Sequence, residues 1–224
     1  MLLDLQIHSN FSYDGSITYE ELLIYDGNID VVAVTDHNNF DFHYKHRENT
    51  IGETYKIGKL TVIPAEEIMT CDAGEIIGLF LKEHVQEGLT LSETIKMIKS
   101  QNGLVYVPHP FDLYRKKSRP KMKRVTELIK EVDIVEINNG KYFTRFEFMI
   151  ANSYANKYSK PYSAGSDAHK IEELGRTWIE VNDKKSITNS LDLLSLLRGP
   201  TKVIKHKPNA LKRVIKKFKK VVIN

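Results

Sequence analysis

Five short polar clusters, each following directly on an apolar run of strand-like length, constrain this 224-residue chain more than any other feature. Gln6-Ile7-His8 follows residues 2–5, Thr35-Asp36-His37 follows 31–34, and Pro64-Ala65-Glu66-Glu67 follows 60–63. Pro108-His109-Pro110 follows 104–107, and Gly165-Ser166-Asp167-Ala168-His169 follows 161–164. Imidazoles and carboxylates delivered from the C-terminal ends of successive buried strands are how an α/β barrel assembles a metal site at one face. A doubly wound sheet concentrates its site at one switch point. Five clusters in register therefore favour the barrel and point to metal-dependent hydrolysis.

Helical patterns alternate with these runs. Residues 18–25 read as a helix opened by Thr18, with Glu20 and Glu21 in its first turn. Residues 91–101 carry an apolar stripe and stop before Asn102-Gly103, a C-cap signal. Further helices are expected over 121–131, 145–158 and 187–197. Strands are expected over 2–7, 30–35, 60–68, 76–81, 104–107, 133–137, 162–164 and 178–181, with a turn through Asp72-Ala73-Gly74. Repeated βα units argue for a largely parallel sheet.

Composition is ordinary for a globular protein, 41% hydrophobic and 28% charged, and the length suits one domain with a large core. No run approaches the roughly 18 apolar residues of a membrane span. The N-terminus lacks a basic n-region and a cleavage site, and the single Cys71 has no partner for an intrachain disulfide, so a reducing cytoplasm is the expected location. Net charge +4 conceals an asymmetry: ten Lys and Arg and no Asp or Glu lie in residues 198–224, leaving 23 basic against 29 acidic residues before them, a net −6. The expected division is a barrel over 1–200 and a basic amphipathic C-terminal helix over 201–224, with Leu211, Val214, Ile215, Phe218 and Val222 on one face. Such a tail suits an anionic partner, or equally a solvated helix against an acidic body.

Several residues carry chemistry. His8 and His37 end apolar strands; Asp14 lies in Ser12-Tyr13-Asp14-Gly15, which alone reads as a turn. Glu66 and Glu67 are adjacent, so on a strand only one faces a site. His109 lies between two prolines that stiffen its turn, and Asp167 and His169, two apart, project to one side of an extended segment. The basic run Arg115, Lys116, Lys117, Arg119, Lys121, Lys123 and Arg124 follows His109-Pro110 and would lie over the metal face, where guanidinium groups clamp phosphate bidentately. His43 and His46 read as surface histidines or as residues lining the mouth.

Together the motifs from Asp4-Leu5-Gln6-Ile7-His8-Ser9 to Gly165-Ser166-Asp167-Ala168-His169 resemble the PHP (polymerase and histidinol phosphatase) superfamily of metal-dependent phosphoesterases over residues 2–181. The resemblance implies a distorted seven-stranded (β/α) barrel, of TIM-like outline, with two or three divalent ions (Zn, Mn or Fe) at its C-terminal face. Carried over by position, His8, Glu67 and Asp167 would serve one ion, and Glu67 would bridge to a second held by His109. Asp14, His37 and His169 would hold a third. Glu67 is chosen over Glu66 because the family's acidic residue precedes an aliphatic one, here Ile68. Asn138 stands where many relatives place another ligand. The family usually begins His-x-His, whereas this chain has Gln6 at the first position; an amide is a poor ligand for zinc-like ions and suits harder ones. One ion would then bind weakly, be absent while the others act, or leave the enzyme impaired.

The implied activity is hydrolysis of a phosphate ester, with Asp167 orienting the attacking water and Arg115 or Arg119 binding phosphate. Substrates open at this stage are a nucleotide, a sugar phosphate, histidinol phosphate or a short oligonucleotide, with no membrane partner. One rival is a non-catalytic RNA-binding scaffold of the archaeal ribonuclease P type. A further alternative, an amidohydrolase-like barrel, lacks the Thr-Asp-His and Gly-Ser-Asp-x-His pair.

Overall fold

Strands and capped helices alternate along the computed structural model, which describes residues 1–182 and 185–205. β1 (Leu2–Ile7), α1 (Tyr19–Leu23) and β2 (Val31–Val34) come first, then α2 (Asp41–His46), β3 (Thr50–Ile51) and β4 (Thr54–Ile57). The long β5 (Leu60–Thr70) turns back as β6 (Gly74–Leu79), followed by α3 (Leu91–Ser100), β7 (Leu104–Val107), α4 (Met122–Glu127) and β8 (Ile134–Asn139). α5 (Arg145–Lys157), β9 (Tyr162–Gly165), β10 (Thr177–Val181), α6 (Ser190–Arg198) and β11 (Thr201–Lys205) complete the described chain. Thr18, Thr90 and Thr144 each close a reciprocal capping box with the glutamate three residues on, which fixes where α1, α3 and α5 begin.

The fold is the expected distorted barrel, but its sheet holds eleven strands among the described residues, not seven. β1, β2, β5, β6, β7, β8 and β9 follow one another around the ring. β9 returns to β1 through the Asp167 N–H to Gln6 carbonyl bond (2.9 Å) and the His8 N–H to Ala168 carbonyl bond (2.8 Å). Gly165 permits this closure, since a Cβ there would lie 2.8 Å from the Gln6 Cβ. The four additional strands are the β3–β4 hairpin, paired to β5, and β10–β11, laid antiparallel against the start of β1. β6 runs antiparallel to both neighbours, which is the distortion in an otherwise parallel ring.

Alternation along the strands divides the core. Leu3, Leu5, Val31, Ala33, Ile63, Ala65, Ile77 and Tyr106 fill the barrel, joined by Leu193, Leu196 and Leu197 of α6. The opposite faces of the strands pack against the helices. Two β-bulges interrupt the alternation, one in β1 between Asp4 and Ile7 and one in β8 between Glu136 and Asn138. A bulge exchanges the two faces of a strand beyond it. Leu3 and Leu5 therefore point inward below the first bulge, and Gln6 and His8 point inward above it.

Three sequence expectations need correction. The helix expected over 121–131 stops at Glu127 and continues as a separate 3₁₀ turn, Ile129–Glu131. Residues 201–205 form the edge strand β11, and the rest of the helix expected over 201–224 lies outside the described residues. His43 is a core residue and neither a surface nor a mouth histidine: its Nε2 lies 3.0 Å from the carbonyl oxygens of both Val34 and Ala65, and its Nδ1 lies 2.8 Å from the Tyr55 hydroxyl. His46 is half-buried and stacks on Tyr19 at 4.4 Å.

Burial lowers the His43 pKa from 6.5 to about 4. The folded state thus resists a proton that the unfolded chain takes up, and stability is lost as pH falls through the window from 6.5 to about 4. Lowering the pH from 7 to 5 should cost wild type about 2 kcal/mol more unfolding free energy than it costs His43→Leu, read from urea titrations of the metal-free proteins.

Candidate metal centre

Glu67 sits at the middle of a cluster that closes the C-terminal end of the ring. Its Oε2 lies 3.3 Å from His8 Nε2 and 3.6 Å from His37 Nδ1, and its Oε1 lies 2.8 Å from His109 Nε2. The β5–β6 register sets Glu67 opposite Ile77, inside the barrel, and Glu66 opposite Gly78. Glu66 faces away, accepting from His84 Nδ1 (2.7 Å) and the Val85 N–H (3.0 Å). Asp167 Oδ1 is 3.3 Å from His8 Nε2 and 3.6 Å from His169 Nδ1; Asp14 Oδ2 is 3.0 Å from His169 Nε2 and 3.6 Å from His37 Nε2. All seven residues expected as ligands thus meet at one place. His109 and Asp167 hold left-handed backbone (φ 30° and 53°), conformations costly for non-glycine residues that cluster at functional sites.

One cluster residue was not read from the sequence. Glu75, on β6 two residues before Ile77, shares the inward face with Glu67 and lies 3.5 Å from His37 Nδ1 and 3.6 Å from His109 Nε2. The available signal was a charged residue at the head of an apolar run, two positions before Ile77, which the hairpin sets opposite Glu67. His8, Asp14, His37 and His169 form one group with mutually close ligand atoms, all within 4.8 Å, and His37, Glu67 and Glu75 form another. Asn138 is buried with its Oδ1 lacking a hydrogen-bond partner, and it is Asn139 that the β8 bulge turns toward Gln6.

Charge is balanced unevenly here. Burial raises the pKa of Glu67, but His37, His109 and His8 outweigh it and hold the carboxyl at about 2. Glu75 has burial and the Glu67 charge against it and rises to about 9. Burial opposes ionisation of Asp167 too, yet the Arg115 guanidinium and His8 keep it well below the usual carboxylate range. Arg115 enters the cluster directly: Nη2 contacts Asp167 Oδ2, Nε lies 3.3 Å from Asp112 Oδ2, and Nη1 lies 3.9 Å from Glu75 Oε2. Arg119, expected beside it, instead donates to the Asp112 carbonyl (3.2 Å) and lines a 250 Å³ cavity with Lys116, Lys121 and Met122.

The donor set fits divalent cations. Both ring nitrogens of His8, Oδ1 of Asp167 and Oε2 of Glu75 are buried without a hydrogen-bond partner among the described residues. Unpartnered buried donors are costly, and nitrogen and carboxylate donors converging at this spacing match first-row transition ions.

Gln6 has a defined part. The Lys141 N–H donates to Asn139 Oδ1 (2.8 Å), so the Asn139 amide nitrogen must face Gln6 Oε1 (3.1 Å) and Glu136 Oε2 (3.0 Å). With its oxygen so engaged, Gln6 donates through Nε2 to Glu67 Oε2 (3.0 Å). The amide holds the Glu67 carboxylate and keeps its own oxygen away from the cluster. Gln6→Ala should therefore weaken divalent-ion binding about 10–100-fold while leaving the number of ions bound at saturation unchanged, as calorimetry and elemental analysis would show. Loss of one ion would instead make Gln6 a ligand.

A PHP-associated family model matches residues 146–199. An uncharacterized protein of Methanocaldococcus jannaschii, MJ0417, is 38% identical over 165 residues, which cover 70% of this chain and 69% of the relative. A crystal structure of a two-domain protein from Bacteroides vulgatus, described as containing a predicted PHP-like metal-dependent phosphoesterase, superposes with a TM-score of 0.68 at 19% identity, covering 92% of this chain. The lesion-specific endonuclease PfuEndoQ of Pyrococcus furiosus superposes with a TM-score of 0.63 at 18% identity, covering 90%. This chain spans 65% and 57% of those two proteins, respectively. With its motifs, barrel and relatives in agreement, the chain belongs to the PHP superfamily.

Proposed function

We propose that this protein is a metal-dependent hydrolase of phosphate esters. The observation that carries the reading is the convergence of unpartnered buried donors from His8, Asp167 and Glu75 on the point where the Arg115 guanidinium enters. Two or three divalent ions, with manganese, zinc and iron all compatible with the donors, would be held by His8, Asp14, His37, Glu67, His109, Asp167 and His169, with Glu75 added. When bound, such ions supply Lewis acidity to the phosphate oxygens and lower the pKa of water towards about 7.

The chain's own groups do the rest. Arg115 has a planar fork of donors suited to two phosphate oxygens at once. Asp167, kept ionised by the Arg115 guanidinium and His8, presents Oδ1 as a hydrogen-bond acceptor that would orient the attacking water. His169 is fixed by its Nδ1 contact with the Asp167 carbonyl (2.9 Å), which turns Nε2 toward Asp14. The B. vulgatus and P. furiosus proteins support the class of reaction through their descriptions as a phosphoesterase and an endonuclease. A non-catalytic RNA-binding scaffold gives no reason to bury these donors. No helix among the described residues is long and apolar enough to cross a membrane, and a cytoplasmic location is part of the proposal.

Asp167→Ala and His37→Ala should each abolish divalent-ion-dependent phosphatase activity while retaining wild-type circular dichroism. Removing one member of a tightly coupled catalytic set costs orders of magnitude in turnover. Unchanged turnover in a folded variant would remove the site assignment.

A further inference from the structure

Three large exposed aromatic side chains stand on loops at the end of the ring that carries the metal centre. Tyr13 is 82% exposed, and its ring stacks on His37 at 5.0 Å with 28° between the planes. Tyr114 is 66% exposed, directly precedes Arg115, and meets the 61% exposed Phe143 edge-to-face at 5.5 Å. The three come from the loops that follow β1, β7 and β8. None belongs to a hydrophobic core cluster.

The same rim is cationic. Seven of the ten residues from Arg115 to Arg124 are Lys or Arg, and none is acidic. Lys116 and Lys117 are exposed and have no ion-pair partner among the described residues, as is true of Arg145 at the start of α5. Exposed π-faces beside a track of free cations are the elements that hold single-stranded nucleic acid: the cations follow the backbone, and each base has a face to stack. An amino-alcohol phosphate would use the cations and leave the aromatic faces in water, whereas a base covers a whole ring face.

We propose that the substrate is a nucleic-acid strand with unpaired bases, one base stacking on Tyr13 and another on the Tyr114–Phe143 pair, flanking the phosphate that enters the centre. This rests on the phosphoesterase reading and names its substrate class. Stacking uses the face that every base presents, so recognition by these rings is tolerant of sequence.

The test is fluorescence anisotropy with the full chain and no added metal, so that binding is read without turnover. The probes are a labelled single strand, a strand of the same length built from abasic units, and the duplex. The single strand should bind about tenfold or more tightly than the abasic strand and the duplex. Tyr114→Ala should lose about tenfold for the single strand alone, and Tyr114→Trp should restore it; Tyr13→Ala should act in the same direction. Equal binding of the native and abasic strands would leave only a polyanion-attracting surface and overturn the proposal, as would duplex bound as well as single strand. Base-dependent binding with no hydrolysis of any phosphoester would keep the stacking surface and overturn the enzyme reading. Hydrolysis of glycerol phosphate together with base-independent binding would do the reverse.

Discussion

The buried carboxylate of Glu67 is the constraint around which this barrel is arranged. A carboxylate removed from water is expensive unless paired and hydrogen-bonded. Here three imidazoles and one amide surround it, delivered from three parts of the ring: Gln6 and His8 from the end of β1, His37 from the end of β2, and His109 from the end of β7. Glu75 and Asp167 add further negative potential, with Arg115 as the one guanidinium among the described residues that reaches them. The depressed Asp167 and the raised Glu75 are two responses to one crowded field: the guanidinium favours the charged form of Asp167, and burial with the neighbouring Glu67 charge disfavours it at Glu75. A divalent ion among these donors would relieve the same repulsion, which is why the energetics of the fold and those of the site are hard to separate.

The backbone serves this arrangement at some cost. Uninterrupted alternation along β1 would place His8 on the helix-facing side with Val32 and Val34 of the neighbouring strand. The bulge after Asp4 turns it inward. The bulge in β8 brings Asn139 within reach of Gln6, and Gly165 allows β9 close enough to β1 for the chain of bonds from Glu136 through Asn139 and Gln6 to Glu67 to form. Left-handed backbone at His109 and Asp167 is held by a hydrogen bond at each residue: the His109 N–H donates to Glu136 Oε2 (2.6 Å), and the Asp167 N–H to the Gln6 carbonyl.

Much of this was legible in the sequence, and what was not has identifiable physical causes. Apolar runs and capping signals are local, so the ring strands and α1, α3 and α5 could be read from neighbours in the chain. The strand-end clusters locate the centre for the same reason. Glu75 was missed because its direction depends on pairing with β5, a non-local fact. Bulges leave no compositional trace here, so the Asn138–Asn139 exchange could not be anticipated. His43 misled because a polar residue in a short, weakly periodic segment looks solvated until Tyr55 from β4 is seen to pack against it. The short strands β3 and β4 exist through pairing to longer neighbours, β11 pairs along its whole length with β10, and all three carry little signal of their own.

The centre and its rim answer to different requirements. Donor atoms in the centre are fixed by strand ends, bulges and buried hydrogen bonds, so changing one disturbs the packing of the ring. Tyr13, Tyr114 and Phe143 stand in loops with most of their surface in water and contribute little to the core. Loop side chains of this kind are replaceable at small cost in stability. A barrel built in this way can keep its chemistry while exchanging the groups that meet the leaving portion of the substrate. Arg115 marks the boundary between the two: its guanidinium is held in the cluster by Asp112, Glu75 and Asp167, and its backbone belongs to the basic loop that begins one residue after Tyr114. A substrate phosphate that engages Arg115 must compete with Asp167 for the same donors, which couples occupancy of the rim to the charge state of the centre.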